Sequence, residues 1–322
     1  MRVLVTGGAG YIGSHAAREL ARHGHSVLIY DNLSTGHRFL ADGFDLVEAD
    51  LADSAAAASA LRGADAVMHF AAQSNVGESV KNPRQYFENN VRSALSFLNV
   101  ALEAGIKYFI FSSTCAVYGA PRDTPITETA TREPVTPYGA SKLLFENALE
   151  AYSHAYGLRA VLLRYFNAAG ADASGEIGEL HDPELHLIPR TLQTAAGLRP
   201  HLDIFGTDYP TRDGTCIRDY IHVSDLAQAH VRALEYLAAG GQTTALNLGT
   251  GEGHSVLELV SLAEEITGRA IPKQICPRRP GDPPVLVANA SRAYDVLQWK
   301  PSRSIREIVS SAWNWMQVSK RR

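Results

Sequence analysis

Tyr138 and Lys142 stand four residues apart in Tyr138-Gly139-Ala140-Ser141-Lys142, a spacing that puts a phenol and an ammonium on one face of a helix. A phenol titrates near ~10 and is a weak base at neutral pH, but a neighbouring ammonium favours its phenolate form. Such a pair suits removal of a proton from a substrate hydroxyl, the acid/base half of a redox step at carbon. Upstream, Thr6-Gly7-Gly8-Ala9-Gly10-Tyr11-Ile12-Gly13 places its glycines at G-x-x-G-x-x-G. Glycine allows the backbone to turn tightly against a pyrophosphate, and a helix starting near Tyr11 offers free N–H groups and the positive end of its dipole.

The elements around these groups have a definite order. Arg2-Val3-Leu4-Val5 reads as a short buried strand running into the glycine turn, and Ser26-Val27-Leu28-Ile29-Tyr30 reads as a second strand ending on Asp31, eighteen residues past Gly13. An acid there accepts both ribose hydroxyls of an adenosine and prefers NAD to NADP. Further strands are expected at 45–47, 66–70, 108–111 and 160–164, alternating with helices at 54–61, 83–103 and 141–156. Alternation of this kind implies an α/β fold, a Rossmann-like, doubly wound parallel sheet. Past about Asn167 glycine, proline and charged stretches interrupt helices at 187–196 and 223–238. A strand at 245–248, a helix at 256–267 and the loop 277–282 follow. The expected organisation is an NAD-binding Rossmann domain over 1–166, to which later segments of about 215–250 return, and a smaller C-terminal substrate-binding lobe over 167–322.

With 322 residues, 45% hydrophobic and 20% charged, the chain can bury a full core and a second lobe. A formal net charge of −4 and no dense basic stripe argue against a nucleic-acid partner. The closing Ser319-Lys320-Arg321-Arg322 reads as a frayed, solvated tail. Cys115, Cys216 and Cys276 are odd in number and far apart, without C-x-x-C spacing, so no disulfide frame and no metal site is expected. No apolar run reaches the roughly 18 residues of a membrane span, and the first is too short for a signal peptide; a cytoplasmic protein without membrane contact is expected.

Further motifs narrow the reading. Asp65-Ala66-Val67-Met68-His69-Phe70-Ala71-Ala72 reads as a strand ending in small residues, and Phe111-Ser112-Ser113-Thr114-Cys115-Ala116-Val117-Tyr118-Gly119 as a strand ending in hydroxyls. With Tyr138 and Lys142 these resemble the extended short-chain dehydrogenase/reductase family. Val76-Gly77-Glu78-Ser79-Val80, Asn89-Asn90-Val91, Leu163-Arg164-Tyr165-Phe166-Asn167, the stretch 205–215 and Arg218-Asp219-Tyr220-Ile221-His222-Val223 resemble its UDP-sugar 4-epimerases. The similarity covers essentially the whole chain.

The resemblance implies a retained NAD and a UDP-sugar substrate, UDP-glucose/UDP-galactose first among them. It implies oxidation at C4 to a 4-keto sugar, rotation of that sugar about its link to the diphosphate, and hydride return to the opposite face. By this likeness Tyr138 is the acid/base, Lys142 its tuner and a ribose anchor, and Thr114 the hydroxyl holding the 4-oxygen, a task serine performs in many relatives. Cofactor contacts fall on Gly7, Gly10, Tyr11, Ile12, Gly13, Asp31, Asn32, Asp50, Leu51, Phe70, Asn90, Tyr138, Lys142 and Tyr165, with Asp50 able to read the adenine amine. Substrate contacts fall on Thr114, Tyr138, Asn167, His186, Leu187, Arg218, Arg279, Asp282 and Leu286. Arg218, Arg279 and Asn167 match diphosphate ligands, and Asp282 an acid on the uridine ribose.

Three positions depart from the usual pattern: Ser74 stands for a lysine, His186 for an asparagine, and Leu286 for a tyrosine against the hexose. The smaller Leu286 leaves room for an N-acetyl group, so UDP-GlcNAc/UDP-GalNAc is an alternative substrate pair, and UDP-xylose/UDP-arabinose another. A 4,6-dehydratase needs two carboxylates after the threonine, where this chain has Cys115 and Ala116; a non-catalytic binding module has no use for both Tyr138 and Lys142. In relatives the helices at 83–103 and 141–156 form a four-helix contact, so a homodimer is expected, with Phe97, Leu98, Leu144, Leu149 and Tyr152 as apolar side chains able to face a partner.

Overall fold

The computed structural model describes residues 1–121, 123–279 and 281–319. Pro280 of the expected loop and Lys320, Arg321 and Arg322 of the expected tail lie outside the described residues. The main sheet takes β1 (Arg2–Thr6), β2 (Ser26–Asp31), β3 (Asp45–Glu48), β4 (Ala66–His69), β5 (Tyr108–Thr114), β6 (Arg159–Tyr165) and, much later, β10 (Thr244–Leu248). β7 (Asn167–Ala169), β8 (Leu202–Phe205), β9 (Ile217–His222), β11 (Gly253–Ser255), β12 (Lys273–Cys276) and β13 (Val285–Leu286) lie outside it. The helices are α1 (Tyr11–Arg22), α2 (Ser54–Leu61), α3 (Val76–Lys81), α4 (Pro83–Phe87), α5 (Ala94–Glu103), α6 (Pro137–Tyr156), α7 (Leu187–Ala195), α8 (Val223–Ala238), α9 (Val256–Thr267), α10 (Ser291–Leu297) and α11 (Ile305–Ser319).

The seven strands run in the order β10-β6-β5-β4-β1-β2-β3, all parallel. This is the doubly wound Rossmann-like architecture expected from the sequence. Order reverses between β1 and β4, and the crevice outside the carboxyl ends of the strands at such a point is where ligands bind in sheets of this kind. Alternate side chains face opposite sides of a strand. Val3 and Val5 therefore join Met68, Ile110, Leu163 and Leu246 under α1 and α8, while Leu4, Val67, Phe109, Phe111 and Leu162 pack on the other face under α2, α5 and α6. Both faces are covered, which is why these strands read as unbroken apolar runs.

A smaller sheet, β11-β9-β13 with β7 also on β9, and the pair β12-β8 rest with α7, α9 and α11 around a separate apolar cluster containing Leu192, Ile204, Val260 and Ile308. Within 215–250, α8 and β10 join the main sheet, whereas β9 is the centre of the small one. The strands of this region escape the sequence reading: apart from the six-residue β9 they have two to four residues each, too little periodicity to identify.

Phe97, Leu98 and Leu149 are fully buried beneath the main sheet, so they cannot serve as contacts to a second subunit. Val76 and Val80 of α3 and Leu144 and Tyr156 of α6 are exposed large apolar residues. Among the described residues no helix is long and apolar enough to cross a membrane.

Candidate active site

α6 begins as its sequence dictates. Thr136 caps it, its Oγ1 accepting from Gly139 N at 3.2 Å, Pro137 supplies the fixed φ of the first helical position, and Gly157 ends it in the left-handed conformation. Tyr138 and Lys142 thus sit in its first turns, both buried. Lys142 Nζ donates to Ser112 O at 2.8 Å and lies 4.8 Å from the centre of the Phe111 ring. Burial lowers the Lys142 ammonium to about 7, against the pull of Glu146.

The Tyr138 phenol is pushed above its usual range, first by burial and then by Tyr165, while a hydrogen bond with the Thr114 hydroxyl draws it back. The Lys142 ammonium is meanwhile turned to the Ser112 carbonyl of β5. Thr114 closes β5 and accepts from Ala116 N at 3.1 Å, which leaves its own proton to donate. Tyr165, opposite Thr114 on β6, hydrogen-bonds the Ser112 hydroxyl.

On the other side of the switch point the glycine turn meets the loop after β4. A Cβ on Gly7, where φ is +69°, would lie 2.5 Å from Ala71 N, and one on Gly13 would lie 2.2 Å from Gly7 O. No side chain fits at either position, so the backbone is laid bare as a cradle for a phosphate. Asp31 stands at the end of β2, its Oδ2 accepting from Ala9 N at 2.9 Å and its Oδ1 from Leu33 N at 2.8 Å. Burial raises its carboxyl, opposed by those two bonds. Asn32 donates to Asp50 Oδ2 at 2.8 Å, bringing both to the rim.

Asn90 lies in a π-helical turn, Glu88–Ser93, between α4 and α5, a distortion frequent at functional sites. Its amide clamps Gln73 N and O at 2.8 and 2.9 Å and Ser141 Oγ at 3.0 Å. The side chains of Phe70, Leu51 and Ile12 instead turn into the core, Phe70 packing 4.8 Å from the His230 ring, so the cradle side of these residues is backbone. The Tyr11 hydroxyl donates to Gly170 O at 2.6 Å.

The remaining residues lie on β7, β9, β13, the start of α7 and the loop before β13. Asn167 Nδ2 donates to Asp219 O at 2.9 Å, and Arg218 pairs with Asp282 at 2.9 Å. Leu286 sits beside Arg218 in register. Arg279 shares a backbone turn with Asp282, and its guanidinium covers the Phe205 ring at 4.0 Å. His186 occupies the N-cap position of α7 without a side-chain capping bond, and Leu187 opens the helix. Beside them, Glu179, His181, Glu184 and His186 bring their donor atoms within 4.8 Å of one another.

Comparison with known proteins decides what this arrangement belongs to. A model of the NAD dependent epimerase/dehydratase family matches residues 3–249. A UDP-glucose 4-epimerase of Rhizobium leguminosarum bv. trifolii is 51% identical over 315 residues, covering 97% of this chain and 96% of that protein. The chain belongs to the NAD dependent epimerase/dehydratase family. Among solved structures, UDP-glucose 4-epimerase from Stenotrophomonas maltophila, with bound NAD and formylated UDP-arabinopyranose, superposes with a TM-score of 0.96 at 44% identity over 100% of this chain and 99% of that one. The Brucella ovis enzyme in complex with NAD gives 0.95 at 48% identity over 97% of both chains.

Behind this epimerase/dehydratase site lie residues that sequence reasoning did not single out. Glu146, one turn beyond Lys142 and fully buried, accepts from Arg164 Nε at 2.9 Å and Nη2 at 2.7 Å and from the Ser113 hydroxyl. Arg164 Nη1 reaches Tyr118 OH at 3.0 Å, which donates to Asn247 Oδ1 at 2.7 Å. Asp219, buried beside Arg218, accepts from Thr250 N, Gly251 N and Ala288 N. An acid four residues after Lys142 was the one available signal for Glu146; its basic partners, Arg164 and, at 3.4 Å, Arg132, are 18 and 14 residues away. His69, held by Thr6 at 2.8 Å among four phenylalanine rings, is driven to about 3 by burial and then by Lys142, so it stays neutral behind the site.

Proposed function

We propose that this chain interconverts the C4 epimers of a UDP-sugar with a retained NAD, UDP-glucose and UDP-galactose being the primary pair. The observation that carries the reading is the union of Thr114, Tyr138 and Lys142 at the carboxyl ends of β5 and β6, facing the glycine cradle across the switch point. The cradle fits a dinucleotide: backbone bare at Gly7 and Gly13, Asp31 at the β2 end, and Asp50 and Asn32 beyond it.

NAD, when bound, would supply the acceptor for hydride from the sugar C4 and the positive charge of its nicotinamide. Thr114 donates a hydrogen bond from its hydroxyl to the sugar 4-oxygen and orients it. Tyr138 removes the proton from that oxygen and returns it after the sugar has turned. Lys142, tied to Ser112 O, would anchor the cofactor's ribose. Arg218, Arg279 and Asn167 hold the diphosphate, planar guanidinium forks being suited to phosphate oxygens. Asp282 takes the uridine ribose, with His186 and Leu187 lining that end. The diphosphate anchor must persist while the sugar turns, and Arg218 stands on β9, a strand flanked on both sides, rather than on a mobile tip.

On this reading residues 1–166 with α8 and β10 form the NAD lobe, and the small sheet with α7, α9 and α11 forms the sugar-nucleotide lobe. Exposed Val76, Val80 and Leu144 on adjoining helices support self-association through α3 and α6, measurable by sedimentation at micromolar concentration. Three unpaired cysteines suit a reducing, cytoplasmic setting, and turnover of UDP-glucose and UDP-galactose would give the protein a place in galactose metabolism.

The test is interconversion of UDP-glucose and UDP-galactose by purified protein without added NAD, with UDP-GlcNAc and UDP-xylose in parallel. Turnover of the hexoses, reduced at least ~100-fold by Tyr138→Phe, is the expected result. Inactivity on all of these sugars overturns the proposal.

A further inference from the structure

We propose that Glu179, His181, Glu184 and His186 form a binding site for one divalent transition-metal ion of the zinc class. The four residues fall in an eight-residue stretch, Glu-x-His-x-x-Glu-x-His, whose backbone is irregular between a bridge at Gly178 and the start of α7. Their donor atoms lie within 4.8 Å of one another. Bonds of about 2.0–2.2 Å to a tetrahedral ion would draw such donors to roughly 3.4 Å apart, a small closing movement of side chains already facing each other.

Charge carries the argument further. The Glu179 and Glu184 side chains are each 5% exposed, and among the described residues their ion-pair partners are these two histidines, with no lysine or arginine. Two buried carboxylates therefore have no permanent cation. Either both imidazoles carry protons or one divalent ion balances the pair with the imidazoles neutral, and two nitrogens with two oxygens suit zinc-class ions. His181 Nδ1 is aimed into the cluster: it is buried 3.3 Å from Glu179 Oε1 and 3.7 Å from Glu184 Oε2 without a well-aligned hydrogen bond to either.

The surroundings are built to hold the cluster. The Tyr11 ring stands edge-on to His181 at 6.4 Å, and Glu179 O accepts from Trp315 Nε1 at 2.9 Å, fixing one end of the stretch to α11. Coordination through His186 Nδ1 would pin the residue at the N-cap position of α7 and leave its exposed edge toward the crevice. That last consequence rests on the proposed function; the site itself does not.

The test uses the full chain purified without a polyhistidine tag. Metal content is measured by mass spectrometry, and Co²⁺ is titrated into chelator-treated protein while the visible bands of tetrahedral cobalt are followed. One zinc per chain, a stoichiometric cobalt spectrum and binding weakened more than ~10-fold in both His181→Gln and Glu184→Gln are expected. Zinc far below one per chain with no cobalt spectrum overturns the proposal, as does cobalt binding undiminished in both variants, and the cluster is then a set of ion pairs. The wild-type titration decides the matter even if a variant fails to fold. Since its readout is stoichiometry, it is independent of epimerase activity.

Discussion

The Lys142 ammonium donates to the backbone carbonyl of Ser112 at 2.8 Å, tying the helix that carries Tyr138 to the strand that carries Thr114. The next residue of that strand, Ser113, reaches Glu146 one turn further along α6, and Glu146 in turn holds Arg164 on β6. Helix and both strands are thereby locked at the depth of the candidate site. The position of the phenol against the Thr114 hydroxyl is a property of this frame rather than of either residue.

Removing one partner of the buried Glu146–Arg164 pair leaves an uncompensated charge. Glu146→Gln is expected to destabilise the fold by about 3–5 kcal/mol, read by denaturant unfolding. The double variant Glu146→Gln/Arg164→Met should recover most of that loss. If the single variant costs nothing, the lock described above is incorrect.

Arg218 offers a planar fork that lysine cannot reproduce. For Arg218→Lys, KM for the UDP-sugar is expected to rise roughly 10-fold or more with a smaller change in kcat. Steady-state kinetics under saturating and limiting substrate separate the two; an unchanged KM removes Arg218 from the diphosphate site.

Leu286 lies in register with Arg218 and packs near Cys115, just past Thr114. Leu286→Tyr fills that space, so the ratio of UDP-GlcNAc to UDP-glucose turnover should fall by about 10-fold or more, within the 1–3 kcal/mol that pocket size controls. Competition between the two substrates in one reaction measures the ratio directly. A ratio that does not move means the hexose lies elsewhere.

Acid stability has a specific contributor in Asp172. Burial would raise its carboxyl, but hydrogen bonds from Ser174 and from Arg22, 3.0 Å away on α1, prevail and hold it near about 2. A carboxyl lowered on folding stabilises above its unfolded value near ~3.9 and loses that contribution as pH falls toward 2, about 1–2 kcal/mol in all. Asp172→Asn should therefore flatten the decline of stability between about pH 4 and 2, followed by thermal unfolding across that range, while an unaltered slope would exclude the contribution.

What the sequence by itself determined was local. The glycine turn, the strand–helix alternation, the acid after β2 and the Tyr138/Lys142 spacing are legible because each depends on backbone conformation or a helical period within a few residues. Burial of both sheet faces, and hence the parallel fold, follows from the apolar runs. Tertiary structure alone decided where the Lys142 ammonium points, since the acceptor that satisfies it lies 30 residues away. It also decided that Phe97, Leu98 and Leu149 face the sheet rather than a partner, a choice that periodicity leaves open because either apolar surface would bury the same stripe. The pairing of Arg218 with Asp282, 64 residues apart, and the closure of Glu179, His181, Glu184 and His186 into one cluster depend likewise on how chain segments fold back. Spacing along a chain constrains which side chains share a face; which charges meet across that face is set by packing.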